Sequence, residues 1–243
     1  MKPLSGILLA SAIVSSAEAA VSLPYTNDFS TDDGQFTETT DGQWTESGGF
    51  YQNTISGTGG SAATVVVTRP ANQDFVMQSR FNVTAVSPSV SFGFAALGTG
   101  AATNGATAGV NFYLADIGST GSIRILRFSG TSNAEIVADG AATGDVLGSL
   151  DLSETYDLTL TGTYTGSDLV LSFTVSDGTN TRTVTSAPIT DALTGDNFGY
   201  RNRNNQTGTY TVNSDFLTIA VPEPSSVLLL GAASAVGLLR RRR

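Results

Sequence analysis

The chain has 243 residues, 12 basic against 21 acidic, a formal net charge of −9, and neither histidine nor cysteine. Without histidine there is no Ser-His-Asp triad, Cys-His dyad or imidazole base, and none of the usual zinc, copper or non-haem iron sites. Without cysteine there are no disulfides, and the acidic balance disfavours nucleic acid and anionic lipid surfaces as partners.

Lys2 provides a positively charged start, Leu4 to Val14 an apolar stretch, and Ala17-Glu18-Ala19 a small-x-small cleavage site. These are the three parts of a secretory signal peptide, so residues 1–19 are expected to be removed by signal peptidase. From Ala20 to Val221 the chain keeps seven arginines, no lysine and nineteen acids, a net charge of −12. That length buries a core without disulfides.

Nothing in this region sustains the i, i+3, i+4, i+7 apolar pattern of a helix. Short runs rich in Val, Ile, Thr, Phe and Tyr recur instead, separated by Gly, Asn, Asp and Ser. Phe75, Met77, Phe81 and Val83 share one face, with Gln78, Arg80 and Asn82 opposite. Val90, Phe92, Phe94 and Ala96 alternate with Ser91, Gly93 and Ala95. Thr99 to Gly109, rich in small residues, is expected to be a long flexible loop. Val110, Phe112 and Leu114 repeat the period of two, as do Ile123 and Ile125 about Arg124. Leu158 and Leu160, then Leu169, Leu171, Phe173 and Val175, continue it, with Gly166-Ser167 and Asp177-Gly178 as turns. The region from Tyr156 to Val184 therefore reads as a meander of strands buried on one side. Roughly a dozen strands exceed one flat sheet, which leaves two packed sheets or a barrel within one domain, residues 20–221.

The order of Asn27-Asp28-Phe29, Gln43-Trp44-Thr45, Gly49-Phe50-Tyr51, Asp74-Phe75-Val76-Met77, Tyr156 to Leu160, Asn197-Phe198-Gly199-Tyr200-Arg201 and Asn213 to Phe216 resembles the concanavalin A-like, laminin-G-type jelly roll. That resemblance implies an all-β, two-sheet antiparallel sandwich whose first and last strands pair and whose sheets form a shallow groove. The rival architecture is another sandwich, such as an immunoglobulin-like one.

The composition breaks at Val221-Pro222-Glu223-Pro224, followed by an apolar run from Ser225 to Leu239 and the cluster Arg240, Arg241, Arg242 and Arg243. The run would make a short hydrophobic helix of about 22 Å, against about 30 Å for a hydrocarbon core, a marginal anchor. The arginines act as a membrane stop that stays cytoplasmic. Pro222 and Pro224 hold the intervening chain extended and open to a processing enzyme. Residues 222–243 thus resemble the sorting signal of PEP-CTERM proteins, the exosortase substrates of Gram-negative bacteria that make exopolysaccharide. The resemblance implies transient insertion in the inner membrane, processing near Pro222–Pro224, and delivery to the outer envelope, cell surface or extracellular matrix.

Some jelly rolls of this kind cleave glycans, which requires two carboxyl groups set about 5–5.5 Å apart for a retaining reaction. No Glu-x-Asp-x-Glu run is present, and Asp151, Glu154 and Asp157 sit at the wrong spacing before a strand. No catalytic residue is assigned. No cofactor is required, and a structural calcium is expected at Asp28 and Asp215, near Asp32 and Asp33, if the terminal strands converge. Trp44, Tyr51, Tyr200, Arg201 and Arg203 are the candidates for contact with a polysaccharide, as aromatic platforms with polar neighbours. The sequence reads best as an exported, non-enzymatic structural or adhesive module. Carbohydrate binding is the alternative and glycan hydrolysis the distant one.

Overall fold

The computed structural model describes residues 20–39, 43–85, 89–102, 109–139, 150–151 and 154–222, and its regular structure is entirely β-strand. Two sheets form a sandwich. The first runs β1 (Val21–Ser22), β6 (Gly59–Thr68), β15 (Asn197–Asn204), β8 (Val90–Gly98), β9 (Asn111–Gly118), β10 (Ile123–Ser129) and β11 (Ser132–Asp139), with β3 (Thr37–Glu38) also on β6. The second runs β14 (Thr181–Thr185), β13 (Asp168–Ser176), β12 (Thr155–Thr165), β7 (Phe75–Ala85), β16 (Thr209–Ala220), β5 (Phe50–Ser56) and β4 (Gln43–Ser47), with β2 (Tyr25–Asn27) also on β16.

The alternating runs form the strands they predict, because a period of two places one set of side chains between the sheets. Phe75, Met77, Phe81 and Val83 of β7 are fully buried, as are Phe92, Phe94 and Ala96 of β8 facing them across the interior. The predicted meander is β12–β13–β14, antiparallel throughout. Its first turn is the two-residue Gly166-Ser167 loop, with Gly166 at φ 66°. In the second, the Asp177 carboxylate accepts N–H bonds from Thr179 at 2.8 Å and Asn180 at 2.6 Å, which holds its pKa below the usual range. The last strand, β16, pairs with β2, Tyr25 opposite Ile219 and Asn27 opposite Leu217, close to the terminal pairing the jelly-roll resemblance implies, while the two-residue β1 joins β6 in the first sheet. The pieces beyond the expected dozen are short, such as β1, β2 and β3, and two or three residues show no periodicity to read.

One expectation fails in the first sheet. Its central strands are not buried on one side only, since all nine residues of β8 are buried. A second, smaller apolar cluster lies on the sheet's outer face: Ala62, Ala95, Phe112, Leu114, Leu126 and Phe128, joined by Ala102 from the segment after β8. Thr99 is tied back by its N–H bond to the Asn111 carbonyl at 2.9 Å. Most of the segment expected as a flexible loop, residues 103–108, lies outside the described residues. Glycine is required in the middle of this face, for a Cβ on Gly93 would overlap the Ala115 carbonyl and the Asp116 Cα of the adjacent strand.

Candidate functional site

The outer face of the first sheet carries a cavity of about 350 Å³. Arg124, Leu126 and Phe128 of β10, Asn133 and Glu135 of β11, and Arg201 and Arg203 of β15, with Asn205 just beyond it, form its lining. Register explains the convergence. Arg201 stands opposite Gly93, Gly93 opposite Asp116, and Asp116 opposite Arg124, so four neighbouring strands share one row. Because β8 contributes only a hydrogen at that row, no side chain separates Arg201 from Asp116. One row further along, β8 presents only the methyl group of Ala95, and the Arg201 guanidinium carbon sits 4.8 Å from the centroid of the Phe128 ring. Phe128 is itself stacked on Phe112, with centroids 4.5 Å apart and planes 5° from parallel.

The polar groups of this face are tightly held. The Asp116 side chain is 1% exposed and receives two bonds from Arg124, Nε to Oδ1 at 2.7 Å and Nη2 to Oδ2 at 3.1 Å. This bidentate bond raises the Arg124 pKa. Arg201 is 2% exposed. Burial above all lowers its pKa to about 10; Asp116 acts in the opposite sense, while Arg203 and Arg124 repel its charge. Such an arrangement holds positive charge in a partly dried recess, where a further anion would gain more than in open water.

A second recess of about 540 Å³ lies on the other sheet, lined by Arg80, Glu154, Thr155, Asp157, Asp177, Gly178 and Asp215. Its ion pair, Arg80 Nε to Asp157 Oδ1 at 2.7 Å, joins two half-exposed side chains, so water screens it. Burial pushes the Asp215 pKa up. Asp151 and Glu154 lie in the approach to β12, where the Tyr156 hydroxyl donates to Glu154 Oε2 at 3.3 Å and accepts from the Asp151 N–H at 2.8 Å, whereas Asp157, expected before the strand, lies within it.

The expected aromatic platforms are a correction. Trp44, Tyr51 and Tyr200 are 7%, 1% and 0% exposed and belong to the core. Phe29, Phe36, Trp44, Tyr51 and Tyr200 form one aromatic cluster, with Trp44 and Tyr51 stacked at 4.7 Å. Their polar atoms point to internal partners. Trp44 Nε1 donates to Ser61 Oγ, the Tyr51 hydroxyl to Glu38 Oε1 at 2.8 Å, and the Tyr200 hydroxyl to the Phe216 carbonyl at 2.8 Å. Of the five candidate contact residues, Arg201 and Arg203 border the cavity on the first sheet.

The calcium pair is also rearranged. Asp28 is exposed, its carboxylate accepting the Ser30 N–H at 3.0 Å, and Asp215 turns toward Arg80 and Asp157. The described acids that gather in a group of three, with carboxylate oxygens within 4.8 Å of one another, are Asp32, Asp33 and Glu46. Neither Asp28 nor Asp215 belongs to it. Burial, then Asp32 and Asp33, push the Glu46 pKa up to about 7.

Arg124, Asp116, Phe128 and Glu135 were missed as site residues. A signal existed, for Asp116 interrupts the apolar run Phe112 to Ile117 and Arg124 stands between Ile123 and Ile125. A charge in mid-strand on both sides of a turn marks a cross-strand pair. The signal-peptide residues Ala17 and Ala19, the tail residues Glu223 and Pro224, the run 225–239 and Arg240–Arg243 lie outside the described residues. Among the described residues no helix is long and apolar enough to cross a membrane.

Matched against models of protein families, residues 220–243 fit the PEP-CTERM protein-sorting motif. The chain carries this sorting signal. It marks the protein as exported and sorted to the cell surface. No curated protein sequence matches the chain. Solved structures do match its fold. A Lotus tetragonolobus seed lectin superposes with a TM-score of 0.56 at 14% identity, over 83% of this chain and 100% of that one. The CBM2 module of the evolved Dit of Lactobacillus casei BL23 phage J-1 gives 0.54 at 12% identity, over 80% and 93%. A GH43 protein from Bacillus licheniformis gives 0.52 at 10% identity, over 81% of this chain but 39% of that one. At these identities the likeness establishes the fold, a lectin-like, concanavalin A-like sandwich, as the sequence of elements led one to expect.

Proposed function

We propose that this PEP-CTERM protein is a non-enzymatic glycan-binding module of the cell surface, retained in the envelope or exopolysaccharide matrix after export. The observation that carries the reading is the built, polar recess on the outer face of the first sheet, in a sandwich whose structural relatives include lectins. A ligand site of this kind pairs a hydrophobic floor with a few fixed polar groups, and Leu126, Phe128 and the arginines supply both. The sorting route has a signal peptidase releasing residues 1–19 and an exosortase acting at Pro222-Glu223-Pro224, with residues 225–239 held in the inner membrane between the two steps.

The preference for binding over hydrolysis rests on the recess itself. Its carboxylates are Glu135 and, beneath it, Asp116, and the latter is consumed by Arg124. Hydrolysis would need one acid free to donate a proton and a second free to attack or to activate water. A glycan array probed with the full chain in a non-ionic detergent tests the proposal. Retention on a subset of glycans supports it, and no retention on any glycan refutes it.

A further inference from the structure

Three of the seven arginines between Ala20 and Val221 converge on one recess of a domain whose net charge is −12. Such a placement is costly unless something uses it. Arg201 is buried, and Arg203 and Arg124 raise the cost by repelling it. Asp116 offsets part of that charge and already binds Arg124 through both oxygens. Arg203 is exposed and makes no ion pair among the described residues.

The aromatic side of the recess argues in the same direction. Neutral sugars are usually gripped by an open aromatic face packed on the ring's C–H groups. Here the Phe128 ring is 2% exposed, with Phe112 on it and the Arg201 guanidinium near it. The one exposed large hydrophobic side chain among the described residues is Phe50, on the other sheet. The recess therefore offers charge and hydrogen-bond donors rather than a stacking platform.

Resting on the glycan-binding reading above, we infer that the recess bordered by Arg124, Arg201, Arg203, Asn133 and Asn205 binds an acidic saccharide through its sugar carboxylate. A planar carboxylate matches the paired donors of a guanidinium, and a charge-assisted bond there is stronger than a neutral one. Glu135 on the β11 wall sets an upper limit on ligand charge, since a singly charged carboxylate meets less repulsion from it than a dianionic phosphate does. The volume, about 350 Å³, lies at the small end of ligand sites, about 300–1,000 Å³, so the recess reads a short stretch of a longer chain. An acidic matrix polysaccharide would thereby be held by an acidic protein at a recess lined by three arginines.

The test compares uronic acid oligosaccharides with the same oligosaccharides after chemical reduction of their carboxyl groups, titrated calorimetrically against the full chain in detergent. The acidic form is expected to bind at least about tenfold more tightly, with the preference shrinking as salt is raised. Arg203→Gln alters an exposed side chain and is expected to fold normally while losing about tenfold in affinity for the acidic form alone. Arg201→Met, which also removes buried charge, should abolish the preference in whatever fraction remains folded by circular dichroism. Poly-glutamate serves as a carboxylate without a sugar and is expected to bind weakly. Equal affinity for the acidic and reduced oligosaccharides, or an unaffected Arg203→Gln protein, overturns the acidic preference and leaves glycan binding standing. Equal binding of poly-glutamate overturns the sugar requirement, and binding of no oligosaccharide overturns both readings.

Discussion

Tyr200 gives the sharpest test of how the core and the site divide the aromatic residues. Its ring lies between Trp44, Tyr51, Phe92 and Phe94, with centroids 5.6 to 6.2 Å away, and its hydroxyl contacts the Phe216 carbonyl and Ser79 Oγ, each at 2.8 Å. Tyr200→Phe removes both hydroxyl bonds and leaves a carbonyl and a serine without that partner in a dry interior. A net cost of about 1 kcal/mol per bond, with some desolvation penalty for what is left behind, gives about 2 kcal/mol. For a domain of about 200 residues that lowers Tm by about 4–8 °C. Tyr200→Ala adds a cavity and the lost ring contacts, for about 5 kcal/mol in total. Thermal unfolding followed by circular dichroism measures both. Glycan affinity of Tyr200→Phe, measured well below its Tm, is expected to stay within about twofold of the parent, as for any residue remote from a ligand. A Tm within about 1 °C of the parent, together with lost binding, would place the hydroxyl at the ligand and refute this division.

Other expectations are as direct. Asp116→Asn breaks a buried bidentate pair beside Arg201 and should cost about 3 kcal/mol, whereas Asp157→Asn, in the half-exposed pair with Arg80, should cost under about 1 kcal/mol; urea titrations that find the two equal would refute the burial argument. Gly93→Ala forces a methyl against the β9 backbone, and a loss of about 1–3 kcal/mol is expected in the same titration. Glu46 titrates at about 7 when folded, above its ordinary range, so the folded state holds this proton more tightly than the unfolded chain. Its contribution is fully present below the unfolded value and is lost as pH rises toward 7. Glu46→Gln should therefore match the parent Tm near pH 4.5 and exceed it increasingly toward pH 7.5, and a difference that stays constant with pH would count against the shift. Replacing Pro222-Glu223-Pro224 by alanines should leave unprocessed protein in the inner-membrane fraction on immunoblots, and normal release would overturn the proposed processing site.

The period-two runs of β7, β8, β12 and β13 and the turns at Gly166 and Gly178 were legible in the sequence because each depends on neighbours along the chain. So was the sorting tail, whose three parts act through composition and order alone. The two-sided burial of β8 was not legible, since Gly93 and Ala95 look like a weak outward face until Phe112, Leu126 and Phe128 arrive from β9 and β10. Nor was the fate of the aromatics: Trp44, Tyr51 and Tyr200 carry the same chemistry on a surface as in a core.

By itself, then, the sequence determined where the protein goes and that it is built of strands, because export signals and alternation are local properties. Only the tertiary structure decided which side chains meet. Arg124 and Arg201 are separated in the chain by three strands of the second sheet, β12, β13 and β14, and three strand registers in succession, β10 on β9, β9 on β8 and β8 on β15, bring them to one row. A register shift of one residue on β15 would turn Arg201 inward and Tyr200 outward, exchanging core and site. That choice is made by the packing of Tyr200 among five other rings, an interaction between residues far apart in the chain.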